Sequence, residues 1–94
     1  MFEIRVGQAG IVKLVGRLDA SEADGALARL NEITGPITAD CAELDYISSA
    51  GLGILVETYK RLHAVGNTLK LVNLPPRIRN VFRYARLDGI LQIE

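Results

Sequence analysis

The residues best placed to do chemistry are two adjacent hydroxyls, Ser48 and Ser49, followed by Gly51 and Gly53 in the stretch Asp45-Tyr46-Ile47-Ser48-Ser49-Ala50-Gly51-Leu52-Gly53. Serine is a good helix N-cap, and the apolar set Leu52, Leu55, Val56, Tyr59 and Leu62 behind it keeps helical spacing. Either serine can therefore open a helix. Two glycines in the first turn are unusual, because each costs about 1 kcal/mol relative to alanine. One reading is purely structural: a tight strand-to-helix turn in which glycine packs closely on a sheet. The other is functional: the glycines leave the helix start open to a partner, and the positive end of the helix tolerates a phosphate on serine.

Catalysis by this serine fits poorly. A nucleophile elbow needs glycine two residues before the serine, and Ile47 stands there for Ser49. The single histidine, His63, lies about four turns along the same helix, roughly 20 Å away by helical rise, too far to act as its base. No phosphate-cradling glycine loop precedes a Lys-Ser or Lys-Thr pair. The chain reads as a non-enzyme, with no cofactor or metal site expected.

The remaining candidates are plainer. Asp19, after Gly16-Arg17-Leu18, reads as an N-cap or as an exposed acid at a binding edge, with Ser21 as an alternative cap. Asp45 reads as a turn residue ahead of the serines. Cys41, the one cysteine, reads as a small buried hydrophobe and cannot form an internal disulfide. Arg79, Arg83 and Arg86 follow i, i+4, i+7 spacing and suggest a basic helix stripe, solvated or binding.

These residues need elements to hold them. Phe2 to Val6 alternates, Gly7 to Gly10 turns, and Ile11 to Val15 reads as a second strand, giving a hairpin. Ala23, Ala26, Leu27 and Leu30 line a first amphipathic helix ended by Gly35-Pro36. Ile37 to Cys41 is a short strand, the serine helix runs to a stop at Gly66, and Leu69 to Val72 is another strand. Pro75-Pro76 opens a third helix with Ile78, Val81, Phe82 and Ala85 on its apolar face, and Ile90 to Ile93 reads as a last strand. The order ββαβαβα, then β, predicts a single compact α/β domain over residues 1–94. Its sheet is mixed and mostly parallel, with an N-terminal hairpin and about three amphipathic helices.

Composition sets the class. With 94 residues, 49% of them apolar, the chain can build one core. Eleven acidic and eleven basic side chains balance to zero, which argues against general affinity for nucleic acid or anionic membrane. Apolar runs such as Ile54-Leu55-Val56 are far too short to span a bilayer, and the charged, alternating start is not a signal peptide. A cytoplasmic protein is expected.

Gly16-Arg17-Leu18-Asp19, the Asp45 to Gly53 stretch and Pro75-Pro76-Arg77 together resemble the STAS domain family, within it the free-standing bacterial anti-sigma-factor antagonists. The resemblance covers nearly the whole chain. It implies partner switching: the unphosphorylated protein binds an anti-sigma factor serine kinase with a histidine-kinase-like ATPase fold and so frees a sigma factor. The kinase phosphorylates the serine two places before the motif glycine, here Ser49, and a metal-dependent serine/threonine phosphatase reverses this. Ser48 stands where some members carry aspartate, which makes it a less favoured second acceptor. The partner-binding surface implied is Asp19, Ser48, Ser49, Gly51, Leu52 and Gly53. The alternative is an unphosphorylated STAS accessory subunit of a lipid-export ABC transporter or a sensory complex.

Overall fold

The computed structural model describes residues 1–94 as nine elements. They are β1 (Phe2–Val6), β2 (Ile11–Leu18), α1 (Ala20–Asn31), β3 (Ile37–Asp40), β4 (Leu44–Ile47), α2 (Ser49–Ala64), β5 (Leu69–Val72), α3 (Pro76–Tyr84) and β6 (Gln92–Ile93). The six strands form one sheet in the order β1-β2-β3-β5-β6, with β4 paired to β2. Only β1 and β2 are antiparallel, as the opening hairpin requires; every other pairing is parallel. The expected mixed, mostly parallel α/β sheet with three helices is what forms.

β4 is an addition to the sequence reading. The first half of β2 pairs with β3 and its last residues pair with β4, and the β4 pairing itself shifts register between Gly16 and Arg17. β3 and β4 therefore run in succession along one strand. Asp45, expected in a turn, lies on β4 instead.

Burial follows the two-residue period of strands. Val12, Leu14, Ile37, Ala39, Leu69 and Leu71 face the core, while Lys13, Thr38, Asp40 and Lys70 occupy the opposite, more open face. Ala23, Ala26 and Leu30 of α1 close over that core, with Leu27 half-buried. On α2 the buried stripe is Gly51, Ile54, Leu55, Thr58 and Leu62, so Leu52, Val56 and Tyr59 sit at its margin. Thr58 is wholly buried because its hydroxyl donates to the Ile54 carbonyl at 2.8 Å. Ile78 and Phe82 bury the inner face of α3.

Helix ends show where sequence signals compete. α1 stops at Asn31, ahead of Gly35-Pro36, and Arg61 of α2 donates to the carbonyls of Leu30 and Ile33 at 2.9 and 3.0 Å. The expected stop of α2 holds: Gly66 takes φ +80°, and Asn67 N–H donates to the Leu62 carbonyl at 2.8 Å, a Schellman closure. Pro76 begins α3, as expected of a proline at the first helical position. Because α3 ends at Tyr84, Arg86 lies beyond it, and Arg79 is tied to the Glu94 carbonyl. The three arginines thus do not make one continuous helix stripe. No helix is long and apolar enough to cross a membrane.

Candidate functional site

The site is built where β2 and β4 end side by side. Leu18 and Ile47 are register partners, and Ser48 N–H donates to the Leu18 carbonyl at 3.0 Å. The next residue of each strand, Asp19 and Ser48, leaves the sheet in extended conformation and caps a helix. Two helix N-termini therefore stand together at the carboxyl edge of the sheet, one capped by a carboxylate and one by a hydroxyl.

The two caps differ electrically. Asp19 Oδ1 accepts from the Ser21 amide at 3.1 Å and from the Ser21 hydroxyl at 2.7 Å. The hydroxyl contact is the main reason the Asp19 carboxyl is held below its usual range; the Glu22 and Ser21 amides and the charge of Arg17 act in the same direction. Glu22 adds a second acid to the first turn of α1. α2 has no acid in its first turn. Its positive end is met only by the Ser48 oxygen, which accepts from Gly51 N–H at 3.2 Å.

This separates the two serines. Ser48, half-buried, is the N-cap; Ser49 is the first helical residue and is exposed. The two glycines separate as well. A β-carbon on Gly51 would lie 2.7 Å from the Leu18 carbonyl oxygen and 2.8 Å from Ile47 Cγ1, so close packing on the sheet excludes any side chain there. Gly53 is exposed, and a β-carbon would meet nothing within 4 Å. The close-packing reading holds at Gly51, whereas Gly53 is held by no packing contact. Leu52, half-buried, packs against the core between them.

Other candidates lie outside this edge. Cys41 is buried, donates to the Ala39 carbonyl at 3.6 Å, and has its thiol pushed up to about 12, chiefly by burial and further by Asp40. Such a thiol stays protonated near neutral pH. His63 is exposed and stacks on Tyr59 with ring centroids 5.4 Å apart. Asp45 is exposed on β4, and its carbonyl accepts from Arg77 at 2.7 Å, which ties the start of α3 to the strand leading into the site.

Sequence reasoning missed one neighbouring pair. Arg17 and Tyr46 are register partners on β2 and β4, with the guanidinium 4.3 Å from the ring centroid. Tyr46 still exposes 40% of its surface, two residues before the cap Ser48. Only a strand assignment for residues 44–47 would have revealed that pairing.

Comparison with known proteins agrees with the fold. The family model described as "Mlab, STAS domain" matches residues 2–92. The anti-sigma-B factor antagonist of Bacillus subtilis (strain 168) is 31% identical over 85 residues, 87% of this chain and 78% of that protein. BtrV of Bordetella bronchiseptica, provisionally named an anti-sigma factor antagonist, is 33% identical over 81 residues, 85% of this chain and 67% of that protein. Among solved structures, the Bacillus cell fate determinant SpoIIAA in its phosphorylated form superposes with a TM-score of 0.72 at 22% identity, covering 100% of this chain and 91% of that one. Its unphosphorylated form gives the same TM-score at 20% identity, covering 100% and 87%. At those identities the likeness speaks to the fold. With a family match running almost end to end and curated relatives above 30% identity, this chain belongs to the STAS domain family.

Proposed function

We propose that the protein is an anti-sigma-factor antagonist that works by partner switching, with Ser49 as the phosphoacceptor. In this reading it is a cytoplasmic, non-enzymatic module. Its unphosphorylated form binds an anti-sigma serine kinase with a histidine-kinase-like ATPase fold through Asp19, Ser48, Ser49, Gly51, Leu52 and Gly53. A metal-dependent serine/threonine phosphatase resets it. The observation that carries the proposal is the division of labour between the serines: Ser48 is committed to its cap, while Ser49 stands exposed on a helix start with no acid in its first turn. Two curated relatives named as antagonists support the same role.

The switch is electrostatic. Phosphorylation of Ser49 adds about −1.5 to −2 charges at pH 7, beside amides and a positive helix end that accommodate an anion. The fold can therefore keep its shape. A partner surface closed over Ser49 meets a charge that costs several kcal/mol to desolvate, and about 2.7 kcal/mol already means a hundredfold loss of affinity. Asp19, capping the neighbouring helix with its carboxyl held ionised, adds to the negative charge on that edge.

Incubation with the cognate kinase and ATP, followed by mass-spectrometric mapping, tests the assignment. Phosphate is expected on Ser49, and Ser49→Asp should bind the kinase at least tenfold more weakly while melting stays cooperative. Phosphate confined to other residues, or equal affinity of the two forms, would sink it. A second reading retains support because the matching family model carries the name Mlab and not that of an antagonist. In it, the chain is an accessory STAS subunit of a lipid-export transporter or sensory complex, and Ser49 is a docking residue that is never phosphorylated. Co-purification of transporter subunits with no kinase, and a Ser49 free of phosphate, would favour that reading.

A further inference from the structure

β1 forms one edge of the sheet, since it pairs only with β2. Its hydrogen-bond phase can be read from the ends of the hairpin. Gly7 N–H donates to the Ile11 carbonyl at 2.7 Å, and Arg17 N–H donates to the Met1 carbonyl at 2.9 Å. Antiparallel pairs alternate, so Glu3 and Arg5 turn their backbone groups toward β2. Phe2, Ile4 and Val6 turn theirs outward, away from the sheet. The edge at the other side is blunted, because β6 has only two residues. β1 has five residues, no proline and no lysine, and its two charges are of opposite sign.

We propose that this edge pairs with β1 of a second copy of the chain, antiparallel about a two-fold axis through Ile4. Only the outward-facing residues can bond across such an interface. With the axis on Ile4, Phe2 faces Val6 of the second copy, Ile4 faces Ile4, and Val6 faces Phe2. Every outward N–H and C=O of those residues finds a partner. The same register sets Glu3 opposite Arg5 on both sides of the axis, at the closely spaced non-hydrogen-bonded positions.

Neighbouring registers fail on charge. Moving the axis to Glu3 faces glutamate with glutamate, and moving it to Arg5 faces arginine with arginine. The strand thus carries its own register code.

The side chains agree with the occupant. Val6 exposes 57% of its surface, a large fraction for an apolar strand residue. Between β1 and α1 lies an open cleft of about 170 Å³ whose apolar lining is Phe2, Ile4 and Ala26. Gly25 contributes no side chain to close it, and a β-carbon there would meet nothing within 4 Å. In the two-fold pairing, Val6 of the second copy lies across from Phe2 on the face that carries this cleft.

Charge exchange tests the pairing by sedimentation and native mass spectrometry. The wild-type chain should show a dimer that grows with concentration. Glu3→Arg and Arg5→Glu should each raise the midpoint concentration at least tenfold. The double exchange Glu3→Arg/Arg5→Glu should return it to within about threefold of wild type. Mixing the two single variants should yield heterodimer in excess of either homodimer, an outcome that repair of the contact within one chain cannot produce. Glu3 and Arg5 are exposed and their own ion pair at 3.1 Å adds little to folding, so all variants should melt as wild type. A wild-type chain still monomeric at millimolar concentration, an association indifferent to the reversals, or a mixture with no heterodimer excess would overturn the proposal.

Discussion

Gly51 brings a bare α-carbon against Leu18, close enough that a β-carbon would stand 2.7 Å from the Leu18 carbonyl oxygen and 2.9 Å from its Cγ. That carbonyl already accepts the Ser48 N–H, so it is fixed by the strand pairing and cannot withdraw. The contact sets how closely α2 approaches the sheet edge, and hence how far Ser49 stands above it.

Alanine at the two glycines should consequently act in opposite directions. Gly51→Ala gains about 1 kcal/mol of helix propensity but forces a methyl group into backbone, and overpacking of that kind costs about 1–3 kcal/mol. Gly53→Ala meets open space and should stabilise by up to about 1 kcal/mol. Urea unfolding of the two variants checks this, with the same m-value expected throughout. Gly53→Ala should also lose affinity for the kinase despite its firmer fold, because its methyl would project from the proposed docking surface.

Much of this was legible in the sequence, and the gaps have physical causes. β2, β3 and β5 announce themselves by apolar periodicity, and Gly66 by its place after a long helical pattern. β4 does not, because Leu44 and Ile47 are buried three residues apart with Asp45 and Tyr46 exposed between them, which breaks the alternation a strand should show. Its pairing is dictated from outside, by the end of β2. The end of α1 is hidden for a similar reason: a guanidinium from α2 caps it, and no local residue signals that. At the site, serine chemistry alone could not say which hydroxyl caps, since both are good caps. The phase of α2 against Leu18 decides it.

That decision predicts unequal roles in stability. Ser48→Ala removes the oxygen that satisfies Gly51 N–H and should cost about 1 kcal/mol. Ser49→Ala removes an exposed hydroxyl and should change stability by no more than about 0.5 kcal/mol. Chemical denaturation of the two variants side by side checks the pair. Equal losses would mean that the cap is shared, and the claim that Ser49 is free for modification would fall with it.

Asp19 gives the site a pH dependence whose sign follows from its contacts. Its ordinary carboxyl value is 3.8, and in the folded protein it is lowered, first by the Ser21 hydroxyl and then by the amides of Glu22 and Ser21 and the charge of Arg17. The folded state therefore holds the ionised form more tightly than the unfolded chain does. That preference is fully present above 3.8 and is lost as the pH falls through the lower, folded value. An asparagine in its place could still cap α1 by accepting from the Ser21 amide, but it does not titrate. Stability measured between about pH 2 and 6 should thus fall less steeply for Asp19→Asn than for wild type, with the two slopes converging above about pH 5. Parallel curves down to about pH 2 would show that Asp19 holds no such preference, and its part in the negative charge at the switch edge would have to be reassigned.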